Sequence, residues 1–172
     1  MWKIGNLFSK STEADAAGDK TTIVAQLNAR IQPIDRGDEF EDPLDEVLRA
    51  AGMGEVTGGG TQMADEPDGI AYCDIEMSVN DPSDDVIQTI ITTLEGLGAP
   101  KGSILRIFPD VKEIPFGTKE GLALFLNGTD LPAEVYANAD VNAVIATCDE
   151  RLDGLGGFRG HWEGSSETAL YF

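Results

Sequence analysis

His161 is the only histidine of the chain, so acid or base catalysis by an imidazole at neutral pH would depend on this residue. It lies in a segment whose pattern predicts a strand, and Arg159 and Glu163 then share its face of the sheet. Such a row could hold a substrate, and it is also the ordinary composition of a solvated strand face. The sequence therefore offers His161 as a candidate site residue, with no partner that would identify it as a general base.

Asp74 and Glu76 lie two residues apart in the clearest predicted strand, so their carboxylates project from one face. Paired carboxylates can hold a cation or perform acid and base chemistry. The sequence has no calcium loop of the form D-x-[DN]-x-[DN]-G, and exposed carboxylates are the simpler interpretation. Together with Arg159, His161 and Glu163 they form the polar face on which an enzyme or ligand-binding hypothesis rests.

The glycine run Gly58, Gly59 and Gly60 would let the backbone approach another group closely. It matches neither GxxxxGK[ST] nor GxGxxG, so a phosphate loop is not indicated. The run instead predicts a β-bulge, or a place where another backbone or a ligand passes close to a strand.

An acidic segment between residues 35 and 42 gives the clearest indication of a protein partner. It is predicted to be a loop, longer than the usual connection, and long loops are often functional. We expect its charge to steer a basic partner and its one aromatic residue to anchor the contact. A solvated leader to the following helix is the alternative. The residues of this predicted partner loop are Asp35, Asp38, Glu39, Phe40, Glu41 and Asp42.

The chain has two cysteines, Cys73 and Cys148, and no CxxC spacing. With a single histidine they do not form a zinc-binding set, and no metal or cofactor is expected. Cys73 falls in a strand pattern and Cys148 in a helical one, which predicts small buried side chains, while a disulfide between them remains open. A hydrolase motif such as GxSxG is also missing from the sequence.

The elements that would position these residues follow from apolar periodicity. Residues at helical spacing predict helices near 43–51, 82–97 and 141–153, opened by Asp42-Pro43, Asp81-Pro82 and Asp140. Residues 1–20 are predicted to be a flexible leader, and residues 21–172 a single domain. Alternating apolar residues predict strands near 22–32, 55–63, 71–79, 103–108, 113–117, 122–126, 158–163 and 168–172.

The predicted order in the first part is strand, helix, strand, strand, helix, strand, which is that of a ferredoxin-like unit. We therefore expect an α+β fold, a two-layer sandwich with a mixed or antiparallel sheet and three helices. Apolar stripes should pack the helices on the sheet, for example through Val86, Ile90 and Leu94.

The charge of the chain limits its partners. It has 31 acidic and 12 basic side chains, a formal net charge of -19 and a pI near 4.1. This charge repels phosphates, which argues against a nucleic-acid partner and an anionic membrane surface. A basic protein or a cation would be attracted, although acidity can also serve solubility alone. No apolar run is long enough for a membrane span and no secretory signal is evident, so a cytoplasmic location is expected.

Charge and the missing catalytic motifs favour a binding protein over an enzyme. The preferred hypothesis is an acidic protein-binding module, for instance an immunity-type or inhibitory protein that neutralises a basic partner. The alternatives are a small-molecule-binding domain or enzyme that uses the polar face, and a scaffold or assembly subunit. Whether Asp74 and Glu76 converge with His161 in one pocket would distinguish the first two.

Overall fold

A computed structural model describes residues 20–172, and within this range the strands form two antiparallel sheets. Except for Lys20, the predicted leader lies outside the described residues. The first sheet has the strand order β2-β3-β1-β4-β5, with β1 (Thr21–Leu27), β2 (Gly54–Met63), β3 (Ile70–Val79), β4 (Ser103–Ile107) and β5 (Lys112–Phe116). The second has the order β6-β8-β7, with β6 (Ala123–Asn127), β7 (Gly160–Glu163) and β8 (Glu167–Tyr171).

Helices accompany the sheets, which confirms the α+β class. A π-helical turn over Gly37–Glu41 joins the first two helices, and the residues on both sides of it keep right-handed helical angles. Residues 33–50 therefore form one continuous helical stretch. The α-helical segments are α1 (Pro33–Arg36), α2 (Asp42–Ala50), α3 (Asp84–Gly96), α4 (Ala133–Asn138) and α5 (Val141–Leu152).

The core lies between one face of the first sheet and the helices α2 and α3. The central strands β1 and β3 alternate as predicted over residues 22–27 and 72–79, where every second side chain, such as Ile23 and Ile75, is fully buried. Leu48 of α2 joins the same cluster. The predicted packing of α3 is confirmed, because Val86, Ile90 and Leu94 are all buried in this core.

The acidic segment predicted as a loop is helical, which corrects the prediction for residues 33–42. Asp42 does not cap a helix but lies inside the helical stretch, which begins with Pro33 at its first position. The buried residues of the stretch, Arg36, Phe40, Leu44 and Leu48, follow one another at a spacing of four. An α-helix has 3.6 residues per turn, so the wider π-helical turn helps to keep these side chains on one face.

The other helix starts differ in how well the sequence predicts them. Asp140 caps α5 as expected, because its carboxylate accepts hydrogen bonds from the backbone N–H groups of Asn142 and Ala143. Helix α3 begins at Asp84, two residues later than predicted, and Asp81 does not cap it. Helix α4 has no counterpart in the three predicted helices, because all its residues are exposed and no apolar stripe marks it.

Hydrogen bonds hold the second sheet against one end of the first. The predicted hairpin of β7 and β8 is present, with the Gly164 N–H donating to the Glu167 carbonyl across the turn. The Tyr171 hydroxyl donates to the Asp68 carbonyl at 2.5 Å, in the turn between β2 and β3. The Gln32 side chain donates to the backbone carbonyl of His161 at 3.2 Å.

The packing scheme predicts different effects for the same substitution at two isoleucines. Ile90 is 0% exposed, so Ile90→Ala should lower the free energy of unfolding by about 2–5 kcal/mol, since it leaves a cavity in the core. Ile34 is 80% exposed, and Ile34→Ala should change it by less than about 0.5 kcal/mol. Urea denaturation measures both, and equal losses would contradict the arrangement of α3 on the sheet.

Candidate functional site

The polar residues proposed from the sequence lie on two different sheets. Asp74 and Glu76 project from β3 on the face opposite the helices, because their neighbours in the strand point into the core. His161 and Glu163 lie on β7 of the second sheet, and Arg159 directly precedes that strand. Within residues 20–172, no hydrogen bond or ion pair connects the first pair to the other three. These five side chains therefore do not build one pocket.

Arg159 does not form a polar row with its neighbours on β7. Its guanidinium pairs with Glu39, Nη1 to Oε2 at 2.6 Å, and contacts the Leu97 carbonyl at 3.5 Å. The side chains of His161 and Glu163 are exposed. In the described part of the chain, His161 thus has no charged partner that would orient it for catalysis.

Asp74 is the one member of the polar set with an unusual environment. Its Oδ1 is buried and has no hydrogen-bond partner among the described residues. Burial raises the pKa of the Asp74 carboxyl, and the nearby Arg106 only partly opposes this effect. Arg106 is itself engaged, since it pairs with Glu113 at 2.8 Å and donates to the Gln26 side chain at 3.0 Å.

A buried guanidinium occupies the space next to the glycine run of β2. Arg36 is 7% exposed, and its Nε donates to the Glu41 carboxylate at 2.5 Å. Its Nη1 donates to the Gly60 carbonyl at 2.9 Å and to the Thr61 hydroxyl at 2.7 Å. These acceptors satisfy a charge that would be unfavourable to bury alone.

The glycine in the middle of the run makes this arrangement possible. A Cβ atom on Gly59 would lie 2.5 Å from the Glu41 carboxylate and 2.6 Å from the Asp74 carbonyl. The group that approaches the run is the side-chain ion pair of Arg36 and Glu41, where the sequence predicted a backbone or a ligand. The predicted β-bulge is also present, as a register shift between Val56 and Gly58.

The aromatic residue of the predicted partner loop is buried in the core. Phe40 is 3% exposed, so its ring is not available to a partner, which corrects the role expected for it. Glu39 and Glu41 form ion pairs with arginines of the same chain. The members of the segment with no ion pair among residues 20–172 are Asp35, Asp38 and Asp42.

Exposed apolar side chains concentrate in a short part of the chain around β6 and α4. Residues 121–148 include three acidic and no basic side chains. We call this region the C-terminal apolar surface. Its members are Leu122 at 57% exposure, Leu124 and Phe125 at 38%, Leu131 and Val135 at 43%, Tyr136 at 37% and Val141 at 42%.

Sequence reasoning missed this surface because alternating leucines predict a strand without showing which face is covered. Leu124 and Phe125 point to opposite faces of β6, so both faces of this strand are apolar and partly exposed. Strand β6 also lies at the edge of its sheet. Adjacent apolar residues in a predicted strand would have been the available signal.

The chain was also compared with protein-family models, curated proteins and solved structures. None of them matches it. No helix within residues 20–172 is long and apolar enough to cross a membrane. Over the same residues, no group of three or more histidine, cysteine or acidic side chains could hold a metal ion.

The two cysteine thiols are free. Cys73 is fully buried on β3, and burial raises the pKa of its thiol to about 12. Cys148 is partly exposed on α5. Cys73 is therefore a small core residue with an inert thiol, and the disulfide that the sequence left open is not formed.

The contacts of Gly59 predict that alanine is tolerated at one glycine of the run and not at its neighbour. Gly59→Ala should lower the free energy of unfolding by about 1–3 kcal/mol, since the new methyl group separates Glu41 from the buried Arg36. A Cβ on Gly60 would meet nothing within 4 Å, so Gly60→Ala should change it by less than about 0.5 kcal/mol. Urea denaturation provides both values, and similar losses would show that Arg36 does not depend on Gly59.

The raised pKa of Asp74 predicts a pH-dependent gain of stability in Asp74→Asn. The folded state binds this proton more tightly than the unfolded state, so the neutral carboxyl stabilises the fold below the ordinary value of 3.8. That stability is lost as the pH rises through the folded-state pKa. We expect Asp74→Asn to raise the Tm at pH 7 and to give no gain near pH 3.

Glu163→Gln is the matched control, because it removes the same charge from an exposed position on the second sheet. If it raises the Tm at pH 7 as much as Asp74→Asn does, the gain reflects the net charge of the chain and not the burial of Asp74.

Proposed function

We propose that the chain is an acidic protein-binding module that recognises a basic amphipathic segment of another protein. The observation that carries the proposal is the C-terminal apolar surface, with several large side chains exposed in a stretch without basic residues. Large apolar side chains exposed in such number within a short part of the chain are typical of surfaces that bind a partner. A partner that covers these side chains would gain roughly 25 cal/mol of binding free energy for each Å² of apolar surface removed from water.

Charge determines which kind of occupant suits this surface. The apolar residues are accompanied by Asp130, Glu134 and Asp140, so a segment with lysine or arginine next to apolar side chains would be complementary. A second copy of this chain suits the surface less well, because each copy carries a formal net charge of -19 and the copies repel each other.

The outer edge of β6, which pairs with no other strand within residues 20–172, provides a second means of recognition. An edge strand has backbone N–H and C=O groups that a partner strand can bind. An extended segment that pairs with β6 would place alternate side chains on the two apolar faces of that strand. We therefore propose an extended segment that carries apolar residues for this strand and basic residues for the neighbouring carboxylates.

The predicted partner loop keeps a part in this proposal, as a source of steering charge. Asp38 and Asp42 are exposed on the helical stretch and have no ion pair within the described range. Such carboxylates raise the rate of encounter with a basic protein without needing to contact it. We propose that the C-terminal apolar surface, and not Phe40, anchors the partner.

The finer form of the proposal is an immunity-type or inhibitory protein that covers the basic cleft of its partner. An enzyme that uses the polar face is less well supported, because Asp74 and His161 lie on different sheets.

For the fold we propose a ferredoxin-like first unit, supported by the chain order β1, α2, β2, β3, α3, β4 and the strand order β2-β3-β1-β4. This fold alone does not indicate a function.

A synthetic peptide of alternating lysine and leucine tests the proposal when its binding is measured by surface plasmon resonance. We expect it to bind, and to associate more slowly as the salt concentration rises, because salt screens the steering charge. The double variant Leu131→Ser and Val135→Ser should weaken binding at least about tenfold, mainly through faster dissociation. Ile34→Ser is the matched control, since Ile34 is 80% exposed outside this surface, and it should leave binding unchanged.

Two results would contradict this assignment. A peptide of alternating glutamate and leucine that binds as tightly would exclude charge recognition. Equal affinity of the double variant and the parent protein would show that the C-terminal apolar surface is not the site.

A further inference from the structure

A cleft of about 860 Å³ lies between the end of α3 and the second sheet. Its walls include residues 96–98 at the end of α3, residues 118–122 before β6, and residues 154–159 after α5. Its volume lies within the roughly 300–1,000 Å³ that is usual for small-molecule sites. The C-terminal apolar surface and this cleft share only Leu122.

The charge of the cleft is opposite to that of the protein. Its lining contains three basic side chains, Arg30, Lys119 and Arg159, and one acidic side chain, Glu120. Lys119 makes no ion pair among residues 20–172. In a chain with a formal net charge of -19, this lining favours an anion locally.

The two arginines are paired with acids that lie outside the cleft. Arg159 pairs with Glu39 at 2.6 Å, and Arg30 lies 3.6 Å from Asp68. Neither of these carboxylates lines the cleft. Lys119 is therefore the cation best placed to bind an anionic group directly.

Backbone amides of the segment after α5 add further donors. The N–H groups of Gly154, Gly156 and Gly157 have no hydrogen-bond partner among residues 20–172, and all three residues line the cleft. Successive N–H groups without an internal partner would favour an anion where they face the cleft.

Apolar residues form much of the remaining wall. The rings of Phe158 and Phe172 pack edge to face, with centroids 5.8 Å apart and an interplanar angle of 69°. Leu97 and Leu155 also line the cleft. A ligand that fills the cleft would thus contact apolar surface as well as Lys119.

Two glycines in the wall of the cleft leave space that a side chain would fill. Gly96 and Gly121 have ordinary φ angles, and a Cβ atom on either would meet nothing within 4 Å. Neither backbone strain nor crowding requires glycine at these positions.

We infer that this cleft binds an amphipathic organic anion, with its carboxylate or phosphate group at Lys119 and its apolar body against Phe158 and Phe172. The inference goes beyond the proposed function, because it rests on a different part of the surface and on the opposite charge.

Dodecanoate, used below its micelle concentration, is the probe, and isothermal titration calorimetry on the full chain measures its binding. We expect saturable binding that Lys119→Glu weakens at least about tenfold, since the variant replaces attraction by repulsion. Lys112→Glu is the matched control, because Lys112 is an exposed lysine outside this cleft and the change in net charge is the same. It should leave the affinity within about twofold.

A second variant fills the cleft without changing charge. Gly156 has an ordinary φ, and its Cβ would lie 3.8 Å from Leu152, so Gly156→Phe should fold and abolish dodecanoate binding. Circular dichroism verifies the fold of each variant.

Inorganic phosphate and dodecylamine test separately whether the ligand needs its apolar body and its anionic group. We expect neither to bind as tightly as dodecanoate, since phosphate lacks the apolar body and dodecylamine has the opposite charge. The inference is wrong if dodecanoate does not bind, if either of these compounds binds equally well, or if Lys119→Glu and Gly156→Phe leave the affinity unchanged.

Discussion

The buried guanidinium of Arg36 sets conditions that the surrounding structure must meet. A charge in this position needs acceptors on several sides, and they come from Glu41, from the Gly60 carbonyl and from the Thr61 hydroxyl. Glu41 reaches Arg36 because the π-helical turn lies between them. Strand β2 can approach only because Gly59 has no side chain. One ion pair thus connects the helical stretch, the bulged strand and the core beneath them.

The parts of the fold that could be predicted from sequence are those with a regular apolar pattern, and the region around Arg36 has none. The alternation around Ile75 in β3 and the stripe around Ile90 in α3 follow from burial on one face, which leaves a regular pattern. The helical stretch before α2 leaves no such pattern, because its buried positions include Arg36 and Phe40 among acids and a glycine. A buried charge and a π-helical turn break the apolar period of 3.6 on which the prediction depends.

The candidate site was less predictable, because it depends on long-range pairing. Strand β6 pairs with β8, so residues 123–127 lie beside residues 167–171 that are far away in the chain. Local patterns identify His161 and Asp74 as strand residues but not as members of different sheets. Which apolar face is covered depends on the same pairing. Leu124 stays partly exposed, whereas Leu170, directly opposite in register, is fully buried.

The distribution of the few basic side chains relates the charge of the protein to both proposed sites. Most of those within residues 20–172 form ion pairs, such as Arg36 with Glu41 and Arg106 with Glu113. The C-terminal apolar surface therefore keeps its acidic character, while Lys119 leaves a local positive charge in the cleft. Salt screens exposed charges beyond about 8–10 Å. The affinity of each site therefore depends mainly on the charged side chains next to it. A protein with a large net negative charge can in this way attract a basic partner at one surface and hold an anion at another.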